Sequence, residues 1–269
     1  MKYKLLALDL DGTIRNRKNV ISDRVKQAII DIQKQGVKVA IASGRPVFGM
    51  RETARDLCLE QYGGYIMAHN GAIIVECNTD KVVRRELLPM GQITDYCRFA
   101  KENGCNMMTY DDSYLVTSDI EDEYIVHEAF VNGMELKATV DFSEYNDMPI
   151  SKCMIAGHPD SILKMEKACQ GMFGPKVDNY RSEPFYLEVI PKGVHKGSSL
   201  ANLAEILGIK QEEVVACGDG YNDLTMIEYA GLGVAMANAQ EAVKDVANYV
   251  TKSCDEDGVA YVVEKFMKS

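Results

Sequence analysis

Residues 5–13 are Leu-Leu-Ala-Leu-Asp-Leu-Asp-Gly-Thr, an apolar run that leads into two carboxylates one residue apart. The stretch 3–8 predicts a buried strand, because it is short and largely apolar and Gly12 follows closely. Aspartate is rare in strand interiors and costly to bury without a partner, so Asp9 and Asp11 require one. A hard cation that prefers oxygen ligands, such as Mg²⁺, is the natural partner. In open α/β sheets, ligands bind outside the carboxyl ends of the strands, which is where this pair would lie.

A second acidic cluster lies near the other end of the chain. Residues 218–223 are Gly-Asp-Gly-Tyr-Asn-Asp, and the apolar stretch 214–217 before them predicts another buried strand, with a helix expected over 222–229. Each strand therefore delivers carboxylates to its own carboxyl end. If the two strands are neighbours in a parallel sheet, their ends lie at one edge, and we expect the two pairs of acids to converge.

The outer parts of the chain alternate strand and helix patterns. Strands are predicted at 37–42 and 65–68, with Ser43 and Asn70 shortly after their carboxyl ends. After Pro191 the same alternation resumes and continues to the end of the chain. This pattern predicts an α/β fold with a doubly wound, mostly parallel, Rossmann-like core sheet.

The middle of the chain has a different pattern. Short strands and helices are mixed there, with a helix predicted at 94–103 and an acidic helical segment at 120–131. Mixed elements of this kind indicate a separate α+β domain inserted into the core. We therefore expect a core formed by 1–84 and 190–269 and an inserted α+β cap over 85–189.

Composition argues against several classes of partner and site. The 269-residue chain has a formal net charge of −10, which argues against nucleic acid or an anionic membrane surface as a partner, although a local cationic pocket can still bind a small phosphorylated metabolite. Its eight cysteines and four histidines show no zinc-like spacing, so we expect reduced thiols. The apolar start is short and interrupted by Asp9, and no stretch approaches the ~20 apolar residues of a membrane span. We expect a soluble, cytoplasmic protein that is a monomer or a small homo-oligomer.

Four short motifs, taken in order, resemble those of the haloacid dehalogenase (HAD) superfamily of phosphatases. They are Asp9-Leu10-Asp11-Gly12-Thr13, Ser43-Gly44-Arg45, Lys196-Gly197 and Gly218-Asp219-Gly220-Tyr221-Asn222-Asp223. Within the superfamily the chain is similar to the Cof-type group in its length, in the segments 41–46 and 70–72, and in the stretch 226–238. The resemblance covers the whole chain, with fewer distinctive residues in the middle third. It implies a cap that closes over the site and selects the leaving group.

The first motif supplies the candidate catalytic residues. A carboxylate can attack phosphorus once Mg²⁺ screens the repulsion between the two anions, and Asp9 is the predicted nucleophile. Asp11 would protonate the leaving alcohol and later accept a proton from water. The resemblance implies that the side chains of Asp9 and Asp219 and the backbone carbonyl of Asp11 hold the metal. Asp223 would be an outer or fourth acidic ligand. The alternative is that Asp9 and Asp11 only cap a turn and a helix.

The other motifs supply candidate phosphate-binding residues. Ser43 and Gly44 combine a hydroxyl at a strand end with backbone N–H groups at a helix start, which is a typical anion site. Lys196 would add a compact positive charge for a displacement in which negative charge builds up on the phosphoryl oxygens. Thr13 and Asn222 are secondary candidates for contacts with the phosphate or the acids. Each of these residues could also be an ordinary cap, turn or surface residue.

Weaker candidates lie in loops or in the expected cap. The loop residues that should rim the site, but that also suit structural hydrogen bonding, are Arg45, Asn70 and Asn238. In the expected cap, the residues that could face a substrate are Tyr124, His127, Glu128, Arg181 and Tyr186. Isolated residues of this kind carry little motif weight and are more often structural.

The sequence lacks the patterns of several other chemistries. It has no Walker-type G-x-x-x-x-G-K-[ST] and no G-x-S-x-G elbow, and the segment 218–223 is not G-x-G-x-x-G. We therefore predict Mg²⁺-dependent hydrolysis of small phosphate monoesters through an aspartyl-phosphate. The resemblance implies sugar phosphates as substrates, and flavin, pyridoxal and nucleotide monophosphates remain open. The alternatives are a phosphomutase that returns the phosphoryl group to another hydroxyl of a phosphosugar, and a non-catalytic protein that binds a phosphorylated metabolite.

Overall fold

The structure is a computed structural model that describes residues 2–111 and 114–268. The chain divides into two compact units. The first comprises Met1–Gly44, Met50–Arg84 and His195–Ser269, and the second comprises Arg45–Gly49 and Arg85–Val194. Among the helices of the described residues, none combines the length and the apolar character needed to cross a membrane.

Strands and helices follow one another along both units. In chain order, the strands of the described residues are β1 (Leu5–Asp9), β2 (Lys38–Ala42), β3 (Tyr65–Ala68), β4 (Ile73–Glu76), β5 (Lys81–Arg85), β6 (Asn106–Asp111), β7 (Tyr114–Thr117), β8 (Glu135–Ala138), β9 (Cys153–Ala156), β10 (Val177–Glu183), β11 (Tyr186–Pro191), β12 (Val214–Gly218), β13 (Leu232–Ala235) and β14 (Tyr249–Val250). The helices are α1 (Asp23–Lys34), α2 (Val47–Asp56), α3 (Leu59–Tyr62), α4 (Ile93–Glu102), α5 (Glu123–Asn132), α6 (Pro159–Phe173), α7 (Lys196–Leu207), α8 (Leu224–Tyr229), α9 (Glu241–Val246) and α10 (Gly258–Val262). Short 3₁₀ turns lie at His69–Gly71, Phe142–Tyr145, Gln211–Glu213, Tyr221–Asp223 and Cys254–Glu256, and a π-helical turn at Val263–Met267 follows α10.

The first unit is built on an eight-stranded sheet with the order β14-β13-β12-β1-β2-β3-β4-β5. β1 pairs in parallel with β2 on one side and with β12 on the other, whereas the β3–β4 pair is antiparallel. The strand order thus runs outward from β1 in both directions, which confirms the predicted doubly wound, mostly parallel core sheet. Leu5 and Ala7 of β1 pack with Leu200 and Leu203 of α7. Burial of both faces of β1 explains why its sequence is a continuous apolar run.

The strand order reverses between β1 and β12. Leu8 is the register partner of Cys217, so Asp9 and Gly218, the last residues of the two strands, reach the same edge of the sheet. In doubly wound sheets, the crevice at this reversal is the usual place for a ligand. The topology therefore directs both acidic segments to one location.

The second unit contains a six-stranded sheet with the order β10-β11-β9-β6-β7-β8, in which the pairs are antiparallel apart from β7–β8. Helices α4 and α6 contribute Tyr96 and Ile162 to its main core, and α5 contributes Ile125 and Ala129 to a second cluster. This is the α+β composition expected for the middle of the chain. The sequence did not predict β8, because the strand has only four residues, three of them exposed, and Leu136 is its only large apolar side chain. The role of residues 85–189 as a specificity cap stays a prediction.

Two helices begin later than the sequence predicted, one after a side-chain cap and the other after a 3₁₀ turn. The acidic helix expected over 120–131 begins at Glu123, because Oδ1 of Asp122 accepts two backbone N–H groups of its first turn, at 2.9 and 3.2 Å. The helix expected from Asn222 begins at Leu224, after a 3₁₀ turn. Such short-range competition between side chain and backbone decides where a helix starts.

Candidate active site

Three carboxylates from opposite ends of the chain meet at the carboxyl edge of the first unit's sheet. Asp9 ends β1, and Asp219 and Asp223 belong to the loop that follows β12. Carboxylate oxygens of the three residues lie within 4.8 Å of one another. The parallel pairing of β1 with β12 produces this cluster because it places both carboxyl ends on one edge. The early and late acidic segments therefore converge, as the sequence predicted.

Asp11 differs from Asp9 in its environment. Asp9 is buried, whereas Asp11 is exposed, lies outside the cluster of three carboxylates and forms an isolated backbone bridge with Arg15. Two carboxyl groups in contrasting environments can take different chemical roles. Exposure also leaves Asp11 accessible to water.

A buried lysine lies among the acids. Lys196 is fully buried, and its Nζ lies 2.6 Å from Oδ1 of Asp9 and 2.6 Å from Oδ1 of Asp223. Lys196 is the first residue of α7, whose start is fixed by a capping box between two neighbours. Nδ1 of His195 accepts the backbone N–H of Ser198 at 3.0 Å, and Oγ of Ser198 accepts the N–H of His195 at 3.2 Å. A buried ammonium is tolerated only when it is paired, so the two acids hold Lys196 at the sheet edge.

The loop after β1 approaches Asp219 so closely that a side chain would not fit. Gly12 has a φ of +79°, and a Cβ at this position would lie 2.3 Å from Oδ2 of Asp219. Nδ2 of Asn238 donates to Oδ2 of Asp219 at 3.0 Å and to the backbone oxygen of Gly12 at 2.8 Å. Oγ1 of Thr13 donates to Oδ1 of Asp219 at 3.5 Å. Asn238, a weak candidate in the sequence, therefore joins the first motif to the fourth.

Both carboxylate oxygens of Asp223 are engaged. Oδ1 binds Lys196, and Oδ2 accepts the backbone N–H groups of Asp219 and Gly220, each at 3.0 Å. Gly218 passes so close that a Cβ there would lie 2.5 Å from the Cβ of Asp223. Asp223 thus orders the loop and holds Lys196 in place. Its part as an outer or fourth metal ligand stays a prediction.

The predicted phosphate-binding residues after β2 and β12 are linked through one residue. Ser43 is buried directly after β2, and the N–H of Asn70 donates to its backbone oxygen at 2.9 Å. Nδ2 of Asn222 donates to Oδ1 of Asn70 at 3.0 Å. Arg45 belongs to the second unit, where its guanidinium donates to the backbone oxygen of Val131 at 3.1 Å. Asn70, another weak candidate in the sequence, therefore lies between Ser43 and Asn222.

Burial is the largest single influence on the pKa values of the charged groups in the site. It raises the pKa of Asp9 to about 7, with a further contribution from the Asp223 carboxylate and an opposing one from Lys196. Burial and Asp223 likewise raise the pKa of Asp219 to about 6. Burial alone would lower the pKa of Lys196, but the carboxylates of Asp223 and Asp9 outweigh it and raise that pKa above its ordinary value. Three acids share one lysine, so the oxygen donors and the excess negative charge fit a hard divalent cation such as Mg²⁺.

Three of the candidates from the middle of the chain make structural contacts in the second unit. The ring of Tyr124 stacks on that of Phe185, with 4.9 Å between the centroids. The backbone oxygen of Tyr124 accepts a hydrogen bond from the hydroxyl of Tyr186. Oε1 of Glu128 accepts a hydrogen bond from the hydroxyl of Tyr110 at 2.9 Å. These contacts explain the presence of the three residues without a substrate.

The remaining two candidates, His127 and Arg181, are more accessible. Arg181 pairs with Glu166 at 2.9 Å, and His127 is exposed on α5.

The second unit also contains a buried ion pair that the sequence did not predict. Nζ of Lys152 lies 2.9 Å from Oε2 of Glu188, and both side chains are almost fully buried. Each of the two residues lies beside or within an apolar strand, so no local pattern marks the pair.

The sequence matches a known family over nearly its whole length. The profile of the haloacid dehalogenase-like hydrolases matches residues 6–263. The chain is also similar to the 5-amino-6-(5-phospho-D-ribitylamino)uracil phosphatase YcsE of Bacillus subtilis (strain 168). The two are 30% identical over 264 residues, which cover 98% of this chain and 96% of YcsE.

Solved structures agree with this assignment. A haloacid dehalogenase-like hydrolase from Bacteroides thetaiotaomicron is 41% identical, covers 98% of this chain and 100% of its own, and superposes with a TM-score of 0.94. The HAD subclass IIB sugar phosphatase BT4131 is 25% identical, covers 98% of both chains and has a TM-score of 0.81. The resemblance inferred from the four motifs is thereby confirmed. The chain belongs to the haloacid dehalogenase-like hydrolases and is a phosphatase of that family.

Proposed function

We propose that this phosphatase is Mg²⁺-dependent and hydrolyses small phosphate monoesters, with sugar phosphates as its substrate class. The observation that carries the proposal is the position of Lys196, buried between Asp9 and Asp223, whose carboxylates lie within 4.8 Å of that of Asp219. A fixed cation beside a nucleophilic carboxylate, with further acids for a metal, is the charge arrangement that phosphoryl transfer requires. The substrate class is supported by the structural relative named a sugar phosphatase and by the phosphorylated ribityl group in the name of YcsE.

The metal would be held by oxygen atoms at the edge of the sheet. The side chains of Asp9 and Asp219 and the backbone carbonyl of Asp11 are the proposed ligands. Burial, and next to it the Asp223 carboxylate, raises the pKa of Asp9 and of Asp219, and a bound divalent ion would favour the charged form of both. When bound, Mg²⁺ would screen the repulsion between the attacking carboxylate and the phosphoryl group.

The reaction would proceed by two displacements. In the first, a carboxylate oxygen of Asp9 attacks phosphorus, the ester P–O bond breaks, and Asp11 donates a proton to the leaving alcohol. In the second, Asp11 accepts a proton from a water molecule whose oxygen attacks the same phosphorus. Inorganic phosphate then leaves, and Asp9 returns to its carboxylate form. Lys196 remains paired with Asp9 and balances the negative charge that develops.

The phosphoryl oxygens would be bound by groups that surround the acids. The proposed contacts are the hydroxyl of Ser43, the backbone N–H of Gly44, and the side chains of Thr13 and Asn222, which all belong to the first unit. Selection of the leaving group by residues 85–189 stays a prediction.

A substrate screen tests the proposal directly. Phosphate release is measured for phosphorylated sugars, flavin mononucleotide, pyridoxal phosphate and nucleoside monophosphates, with Mg²⁺ and with excess chelator. We expect fast, Mg²⁺-dependent release from one or more phosphosugars. Release that does not depend on a metal would contradict the metal assignment, and release confined to nucleotides would contradict the substrate class.

The same assay separates the two alternatives. A phosphomutase would isomerise a phosphosugar with little net release of phosphate, which chromatography of the sugar products would detect. A non-catalytic sensor would bind the ligand and release no phosphate. The buried Lys196 with its two carboxylates supports an enzyme over a sensor, because an idle site need not keep a buried charge cluster that is costly to maintain.

A further inference from the structure

Three consecutive residues after β3 have a left-handed backbone. The φ angles of His69, Asn70 and Gly71 are +51°, +53° and +98°. Glycine adopts this region freely, and asparagine and histidine enter it more often than most residues, but each non-glycine residue there still costs conformational energy. At Gly71 a Cβ would also lie 2.3 Å from the Cβ of Ser199. Non-glycine residues held in such conformations cluster at functional sites, where surrounding contacts fix them.

Asn70 contacts two segments that are proposed to bind the phosphoryl group. Its backbone N–H donates to the backbone oxygen of Ser43 at 2.9 Å. Its Oδ1 accepts a hydrogen bond from Nδ2 of Asn222 at 3.0 Å. A Cβ on Gly44 would lie 3.3 Å from Nδ2 of Asn70, so the amide packs directly against the Gly44 backbone. Asn70 itself is only 5% exposed, which makes these contacts internal to the unit.

We propose that Asn70 is a positioning residue that fixes the backbone at Ser43 and Gly44 relative to the loop that carries Asn222. This inference rests on the proposed function, because it is the phosphoryl group that the two segments would bind together. The residue acts through its neighbours, and the reaction scheme gives it no contact with the reacting atoms. Two hydrogen bonds from one residue set the separation of the segments, and a misplacement of about 1 Å can cost ~10²-fold in rate.

Asparagine suits this position for two physical reasons. Its short side chain tolerates the left-handed region, where most other residues are strained. Its amide oxygen accepts a hydrogen bond from Asn222 without adding a negative charge beside an anionic substrate. An aspartate would satisfy the first condition and the hydrogen bond, but its charge would repel phosphate.

The test compares Asn70→Gly with a matched control. Glycine keeps the left-handed backbone and its N–H, and it removes the side-chain contact with Asn222. The control is Asn19→Gly, at an exposed asparagine whose φ is +58°. For each protein, kcat/KM is measured with Mg²⁺ and the best phosphosugar of the screen. Binding of inorganic phosphate in the presence of Mg²⁺ is measured by calorimetry, and the melting temperature reports the fold.

We expect Asn70→Gly to lower kcat/KM roughly ten- to a hundredfold and to weaken phosphate binding, with a melting temperature close to that of the wild type. Asn19→Gly should match the wild type in all three measurements. In the Asn70→Gly/Asn222→Ala double variant, the fold losses in kcat/KM should not multiply. Both substitutions remove the same hydrogen bond between the two side chains. A purely structural residue would change the melting temperature and leave the phosphate affinity of the folded protein unchanged.

Other outcomes would overturn the proposal. An Asn70→Gly protein with wild-type kcat/KM and phosphate affinity would do so, as would a double variant whose loss is the product of the two single losses. Phosphate binding does not depend on turnover, so it tests Asn70 even if the wild type hydrolyses none of the esters. In that event the proposed function fails and the positioning role is judged on affinity alone. A wild type that neither hydrolyses an ester nor binds phosphate would overturn both.

Discussion

Nζ of Lys196 lies 2.6 Å from Oδ1 of Asp9, although 187 positions separate the two residues in the chain. The pair joins the end of the first strand to the start of α7, and the side chain of Lys196 is fully buried. Removal of Lys196 would leave two buried carboxylates without their shared cation, which is strongly destabilising, whereas removal of the charge of Asp9 leaves Lys196 paired with Asp223. Stability, metal binding and turnover are therefore linked at this contact.

Asp9→Asn should abolish phosphate release and leave the fold intact. Asparagine has nearly the shape of aspartate but is not a nucleophile at phosphorus, and Lys196 keeps Asp223 as its partner. Circular dichroism and the melting temperature should match the wild type while steady-state release of phosphate falls to background. Appreciable residual turnover by a pure preparation would reject Asp9 as the nucleophile.

Asp11→Asn should slow both displacements by about 10²- to 10⁴-fold, because an amide can neither donate the proton to the leaving group nor accept one from water. Acid-quenched samples with a ³²P-labelled substrate would show whether phosphorylated protein accumulates. Asp11 is exposed, so the fold should be unaffected. Wild-type rates in this variant would remove Asp11 from the acid–base role.

Lys196→Met should destabilise the protein by about 3–5 kcal/mol at neutral pH, because Asp9 and Asp223 would lose their shared buried cation. Urea unfolding measures the loss, and Mg²⁺ should restore more stability to this variant than to the wild type. The control is Lys26→Met, which removes an exposed pair with Asp56 and should cost under about 1 kcal/mol. Equal losses in the two variants would contradict the structural role given to Lys196.

Gly12→Ala should weaken the response to Mg²⁺, whereas Gly36→Ala should not. Both glycines have a left-handed backbone, with φ angles of +79° and +91°, so alanine strains the backbone at either position. A Cβ at Gly12 would also lie 2.3 Å from Oδ2 of Asp219, whereas a Cβ at Gly36 meets nothing within 4 Å. The Mg²⁺ concentration that gives half-maximal phosphate release distinguishes them. Equal concentrations in the two variants would show that Asp219 is not a metal ligand.

Stabilisation by Mg²⁺ should grow as the pH rises through about 6 to 7, where Asp219 and Asp9 lose their protons in the metal-free protein. Below this range protons compete with the cation for the carboxylates. The stability of the metal-free protein should change with pH in the opposite direction. The folded chain binds these protons more tightly than the unfolded chain, so the free energy of unfolding falls as the pH rises from about 4 to about 7.

Melting temperatures with and without MgCl₂, at about pH 5.5 and about pH 8, measure both trends. Asp219→Ala serves as the control, since it should reduce the Mg²⁺-induced shift at the higher pH. A shift of equal size at both pH values would contradict the assignment of Asp9 and Asp219 as ligands that must be deprotonated.

Local sequence patterns were enough to predict the elements around the site. The apolar runs that end in acids predicted β1 and β12, because strand burial and the scarcity of aspartate in strands are local signals. The start of α5 was missed because the side chain of Asp122 caps it at a later residue. The edge strand β8 was missed because it has only four residues and a single large apolar side chain, Leu136, which is too short a signal.

The functional groups of the site can be identified from local sequence: its carboxylates, its lysine and its hydroxyl, each at the end of a strand or the start of a helix. How these groups meet depends on the tertiary structure. It buried Lys196 between two acids, tied Asp219 to Gly12 through Asn238, and placed Asn70 between Ser43 and Asn222. Those distances depend on strand order and register, because the partners come from segments far apart in the chain, and no local pattern encodes them.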